Sequence, residues 1–185
     1  MKIVKEPFTA LFPCPVVLVT CLDAAGKPNI ITLAWVGTVC SEPPTVALGV
    51  RPSRYSHDLI MTSKEFVVNI PSAEHIVETD YCGVTSGREV DKFSETKFTP
   101  LPAVKVKAPL IKECPVNMEC VLTYTVSLGT HDVFFGKVVQ VHIDEEVQNK
   151  KGRIDFKKAE PFTYNQGEYW SLKKKLGTYG FSKQE

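Results

Sequence analysis

Residues 116–143 read VNMECVLTYTVSLGTHDVFFGKVVQVHI. Two long runs rich in β-branched residues flank the short stretch Thr130-His131-Asp132, and polar and apolar residues mix along each run. That pattern predicts a long hairpin, with strands over 116–129 and 133–143. Strict alternation in VVQVHI would set Val139, Val141 and Ile143 on one face and Gln140 and His142 on the other.

The same signal continues upstream. PVVLVTCL (15–22) and NIITLAWVG (29–37) are apolar runs joined by the Gly-containing turn DAAGK, a second expected hairpin. Thr45–Val50 reads as a strand entered through Glu42-Pro43-Pro44, and EFVVNI (65–70) as one closed by Pro71. Between these, a short helix is expected over 53–62, capped by Ser53 or Ser56, and another starting at Ser72. The polar stretch 83–99 offers one helical turn near 89–95. Residues 100–109, with three prolines and two lysines, suit a connection or an edge strand. About seven strands and few short helices, without regular strand–helix alternation, describe an all-β dominated barrel in one domain.

Bulk composition narrows the function. Lys and Arg number 22 against 21 Asp and Glu, a net charge of +1 over 185 residues. A nucleic-acid binder with a strong overall field is not expected, although a local basic pocket is allowed. No apolar run approaches the ~20 residues of a membrane-spanning helix. The N-terminus lacks the apolar segment of a secretory signal, so a soluble, cytoplasmic protein is expected. Six cysteines (14, 21, 40, 82, 114 and 120) form no C-x-x-C pair, so neither zinc nor a disulfide framework is expected. They read as buried thiols, with Cys40 the one to watch.

The chemistry gathers at VRPSRYSH (50–57). A helix start leaves backbone N–H groups unpaired and carries partial positive charge. Arg51, Ser53, Arg54 and Ser56 add side-chain donors at that point, a set suited to phosphate. The alternative is a plain cap with solvated arginines. Upstream, Trp35 is followed by Gly37, Thr38, Cys40 and Ser41. Small and hydroxyl residues there would let a planar ring approach the backbone; Trp35 as ordinary core is the other reading. Lys92 reads as a solvated lysine unless the 83–99 stretch folds over a pocket, and His131 as a turn residue.

The chain resembles the flavin reductase-like proteins of the FMN-binding split-barrel family, the flavoredoxins among them. The resemblance runs from about residue 8 to 180. It rests on PCPVVLVTCLDAAGKPNIITLAW, SEPPTVALGVRPSRYSHDLI, EFVVNIPSAE, CGVTSGREVDKF, CPVNMECVL, GTHDVFFGKVVQVHID and YWSLKKKLGTYGF, in that order. It implies a Greek-key split barrel that forms a homodimer and holds FMN noncovalently near the interface. It also implies that Arg51, Ser53, Arg54, Tyr55 and Ser56 hold the phosphate. Asn29, Trp35, Thr38, Cys40 and Ser41 would follow the ribityl chain and ring. Lys92 would add charge, His131 would approach the ring, and Tyr164 would cover the site. The C-terminal extension, about 149–185, would pack on the barrel or on the dimer partner. Family members often carry Gly-Asp-His where this chain has Gly129-Thr130-His131-Asp132, so an acid–His pair must use Asp132 or another residue.

The expected activity is FMN-dependent oxidoreduction, with NADH or NADPH as donor and a flavin, ferric or protein acceptor. No G-x-G-x-x-G follows a strand, so no separate nicotinamide-binding fold is expected. No side-chain acid or base is required, with His131 the candidate if one acts. The alternatives are an electron carrier without nicotinamide turnover and a non-redox module for a phosphorylated ligand.

Overall fold

The computed structural model describes residues 1–183. A two-residue strand β1 (Cys14–Pro15) precedes the hairpin of β2 (Val17–Leu22) and β3 (Pro28–Leu33), then that of β4 (Val36–Ser41) and β5 (Pro44–Val50). Helix α1 (Tyr55–Ser63) leads to β6 (Glu65–Ile70), α2 (Ile76–Val84) and the short α3 (Lys92–Thr96). The small pair β7 (Pro100–Leu101) and β8 (Leu110–Ile111) precedes the long hairpin of β9 (Val116–Ser127) and β10 (Asp132–Ile143). The tail carries α4 (Phe156–Ala159) and the hairpin of β11 (Phe162–Asn165) and β12 (Glu168–Ser171).

Seven strands form one antiparallel sheet in the order β3-β2-β6-β9-β10-β5-β4. Its two end strands, β3 and β4, are consecutive in the chain and joined only by Ala34 and Trp35. A two-residue link cannot cross a flat sheet of seven strands spaced ~4.8 Å apart, so the sheet must curl until its ends meet. The result is a barrel with a seam at Trp35, where the Gly49 N–H donates to the Trp35 carbonyl at 2.7 Å. The interior is filled from β2, β3, β5, β6, β9, β10 and α1, with Phe66, Phe134, Leu48 and Ile60 fully buried. Outside the barrel, Leu18 and Ile30 pack against Cys82, Phe93 and Phe98. β2 is thus covered on both faces, which accounts for its unbroken apolar run.

Three local expectations are corrected. The strand expected over 29–37 breaks after Leu33, because the chain there passes from one sheet edge to the other. Neither Ser53 nor Ser56 caps α1; the cap position is Arg54, with no side-chain bond, and Ser56 is buried inside the helix. The alternation in VVQVHI fails too. A bulge between Val138 and Gln140 shifts the register, Val141 is exposed, and His142 turns to the buried Glu119, Nε2 to Oε1 at 2.6 Å.

Glu119 itself explains the 100–109 connection. Its carboxylate accepts from the backbone N–H groups of Val104 (2.8 Å), Lys105 (2.5 Å) and Val106 (3.0 Å). Burial alone would raise its pKa. The three amides and His142 outweigh that and hold the carboxyl below its ordinary value.

Candidate functional site

Helix α1 opens with unpaired donors. The Arg54 N–H bonds the Arg51 carbonyl, but the N–H groups of Tyr55 and Ser56 have no backbone acceptor among the described residues. Both residues border a cavity of about 140 Å³, together with Asn29, Ser53, Arg54, Gly87 and Lys92. Asn29, on β3, donates to the buried Ser56 hydroxyl at 2.8 Å, which ties the barrel wall to the helix start. The stretch 85–87 folds over the same cavity after α2. Its Ser86 and Gly87 amides also lack acceptors among the described residues. A side chain at Gly87 would collide with Asn29, so only glycine lets this backbone lie so close.

Lys92 is buried in this wall, not solvated. Its Nζ donates to the carbonyls of Ile30 (2.8 Å) and Cys82 (2.6 Å). Burial lowers its pKa, and the nearby Arg54 guanidinium pushes the same way. Among the described residues, Arg51, Arg54 and Lys92 take part in no ion pair. Asp58, the acid in the first turn of α1, is instead taken by Arg88 at 3.2 Å. Arg88 also lies over the Tyr55 ring, 5.0 Å from its centroid, and donates to the Ser53 carbonyl at 3.3 Å. Three cations gathered without an acid make a field that an anion would relieve.

A second cavity of about 190 Å³ adjoins the first, sharing Ile31, Arg54 and Gly83 with it. It is walled by Leu33, Trp35, Arg51, His131 and Tyr164. Trp35 is 37% exposed at the barrel seam and meets Tyr164 edge-on, centroids 6.1 Å apart. Phe12 completes the group, 6.1 Å from Trp35 and 6.2 Å from Tyr164. Tyr164 arrives from the tail because β11 pairs with β1, Tyr164 opposite Cys14. Gly49 stands where a methyl group would press on the Trp35 side chain at 3.0 Å.

His131 reaches this cavity from the β9–β10 turn. Its Nδ1 lies 3.0 Å from the Thr130 hydroxyl. Burial, then the Arg51 charge, lowers its pKa and favours the neutral ring. Asp132 does not pair with it. Asp132 Oδ2 sits 2.8 Å from His57 Nε2, so the acid–His contact ties the turn to α1. The neighbouring Ser127, its cross-strand partner, and then His57 hold the Asp132 carboxyl below its ordinary value.

Ten of the thirteen residues singled out in the sequence therefore border the two cavities: Asn29, Trp35, Arg51, Ser53, Arg54, Tyr55, Ser56, Lys92, His131 and Tyr164. Thr38, Cys40 and Ser41 border neither; they lie exposed on the edge strand β4. Sequence reasoning missed Phe12, Thr32, Gly83 and the residues 85–87. The run of small and hydroxyl residues in GVTSG was the available signal for the last of these. The cation-lined cavity suits a phosphate, and the aromatic one suits a planar ring. The pair fits a mononucleotide-sized ligand.

Comparison with known proteins shows the family and the fold. A family profile described as "Flavin reductase like domain" matches residues 9–173, and the chain belongs to that family. It is similar to a solved flavoredoxin of Desulfovibrio vulgaris (Miyazaki F), 31% identical over 100% of both chains, with a TM-score of 0.94. A flavoredoxin from Methanosarcina acetivorans is 30% identical over 98% of this chain and 97% of that one, with a TM-score of 0.90. The NADH:riboflavin 5'-phosphate oxidoreductase of Streptomyces pristinaespiralis is 30% identical over 69% of each chain. The antiparallel barrel with its seam is the split-barrel fold of this family.

Proposed function

We propose, from membership of the flavin reductase-like family, that this chain is an FMN-binding oxidoreductase. When bound, FMN supplies reversible uptake of a hydride or of single electrons. Arg51, Arg54, Lys92 and the open amides at Tyr55, Ser56, Ser86 and Gly87 hold the phosphate. Asn29 and Ser56 line the passage, and Trp35, Tyr164 and Phe12 screen the ring from water. His131, kept neutral by burial and by Arg51, serves as a hydrogen-bonding group at the ring's edge. The observation that carries this reading is the join at Arg54 and Gly83 between an acid-free cationic cavity and an aromatic one.

NADH or NADPH is the donor in this reading, a choice supported by the name of the Streptomyces relative. Likeness to the two flavoredoxins supports the second reading, an electron carrier fed by a redox partner. Exposed Tyr124, Val126 and Leu128 on the long hairpin support pairing of two copies, since neighbouring exposed apolar side chains mark contact surfaces. Location in the cytoplasm belongs to the same reading. The test is a visible spectrum of the purified protein loaded with FMN, before and after each nicotinamide. Bleaching by either supports the reductase; bleaching only by a protein donor supports the carrier. Arg54→Ala should weaken FMN binding by about 1.5–3 kcal/mol, the worth of one charge-assisted hydrogen bond. Unchanged affinity in that variant would remove the phosphate assignment.

A further inference from the structure

A third cavity, of about 300 Å³, opens beside the aromatic one and shares Thr32, Ala34, Gly83 and Tyr164 with it. Its remaining walls are Val16, Asp80, Val84, Gly167 and Tyr169, and no Lys, Arg or His borders it. Gly83 borders all three cavities, so they meet at one backbone position. Asp80, on α2, accepts from the Tyr169 hydroxyl through Oδ1 at 2.9 Å; Tyr169 lies on β12 of the tail hairpin. The phenol is thereby held protonated, its pKa raised by burial and then by Asp80. Among the described residues Asp80 has no ion-pair partner, which leaves Oδ2 and the carboxylate charge free to meet a ligand.

The two flanks of the aromatic cavity thus carry opposite charge. Arg54 and Lys92 border one neighbouring cavity and Asp80 the other, while Arg51 and Tyr164 border the aromatic cavity itself. A groove with apolar Val16 and Val84, aromatic Tyr164 and Tyr169 and a single carboxylate suits a flat ring bearing positive charge or hydrogen-bond donors. It disfavours an anion. We infer that this groove binds the planar ring of the second redox ligand, and that Asp80 selects rings that are cationic or uncharged over anionic ones. This rests on reading the adjoining cavity as the cofactor's.

Three pyridines of nearly equal shape test it: 1-methylnicotinamide (a cation), nicotinamide (neutral) and nicotinate (an anion). Their affinities for the full-length protein, with and without FMN, can be read by calorimetry or saturation-transfer NMR. The expected order is cation, neutral, anion, with cation and anion separated roughly fivefold because Asp80 is exposed. Asp80→Asn keeps an acceptor for Tyr169 and should erase the preference; Asp80→Lys should reverse it. Tyr169→Phe, which keeps the carboxylate, should retain it. FMN affinity should stay unchanged in Asp80→Asn. Absence of pyridine binding, equal affinity for cation and anion, or a preference that survives Asp80→Asn overturns the inference. A chain that shows the preference but takes up no FMN overturns the cofactor reading instead.

Discussion

Among the described residues two charged side chains are buried, Glu119 and Lys92, and they are treated in opposite ways. Glu119 has its oxygens occupied by three backbone amides and by His142, all from its own chain. Lys92 gives two hydrogen bonds to carbonyls, but Arg54, which borders the same cavity, and Arg51, which borders the adjoining one, repeat its own sign. A buried charge whose needs are met inside the chain is a structural part. A buried charge packed beside like charges is a cost that folding alone does not repay, and a ligand of opposite sign can.

That contrast breaks if the two residues can be exchanged in their effects. The largest expected effect is on stability. Glu119→Ala strands three amides and His142 and should cost about 3–5 kcal/mol, read from urea unfolding, with FMN affinity per folded molecule unchanged. Lys92→Met should do the reverse. FMN affinity should fall about ten- to hundredfold in a fluorescence titration, with a smaller loss of stability. The same variant sharpens the point with pH. The folded pKa of Lys92 is lowered, and an anion favours its charged form, so FMN binding takes up a proton where Lys92 has begun to lose one. Affinity should therefore decline as pH rises toward the ordinary lysine value of ~10.4, and Lys92→Met should flatten that decline.

The smallest effect lies at acid pH. The folded pKa of Glu119 is depressed, so its contribution is complete above the unfolded value of ~4.3 and is lost as pH falls through the folded value. The urea midpoint should drop between about pH 5 and pH 3, and less so in Glu119→Gln, which has no carboxyl to titrate. An equal drop in both proteins would assign the acid loss to other carboxylates.

Lys92 shows where reading the chain in order stops. A lysine in a polar stretch is usually solvated, and nothing in EVDKF marks it otherwise. It is buried because α2 and the 85–87 stretch close over β3, contacts between segments some 60 residues apart, which no local pattern encodes. The donors at VRPSRYSH were legible because helix starts and phosphate chemistry are local matters. The placement of Thr38, Cys40 and Ser41 has the same origin. Their hydroxyl and thiol groups suit a ring, but the seam at Trp35 sends β4 to the sheet edge, away from both cavities.

Side-chain period, turn residues and breakers are properties of neighbours along the chain. By themselves they determined most of the barrel strands, the long hairpin, the helix after β5 and the donor cluster at its start. Tertiary structure alone decided that two residues would join opposite sheet edges, which charges would be buried, and that His57 rather than His131 would take Asp132. Those outcomes depend on which distant segments share a surface. The free energy that settles them is burial and pairing across space, summed over the whole barrel.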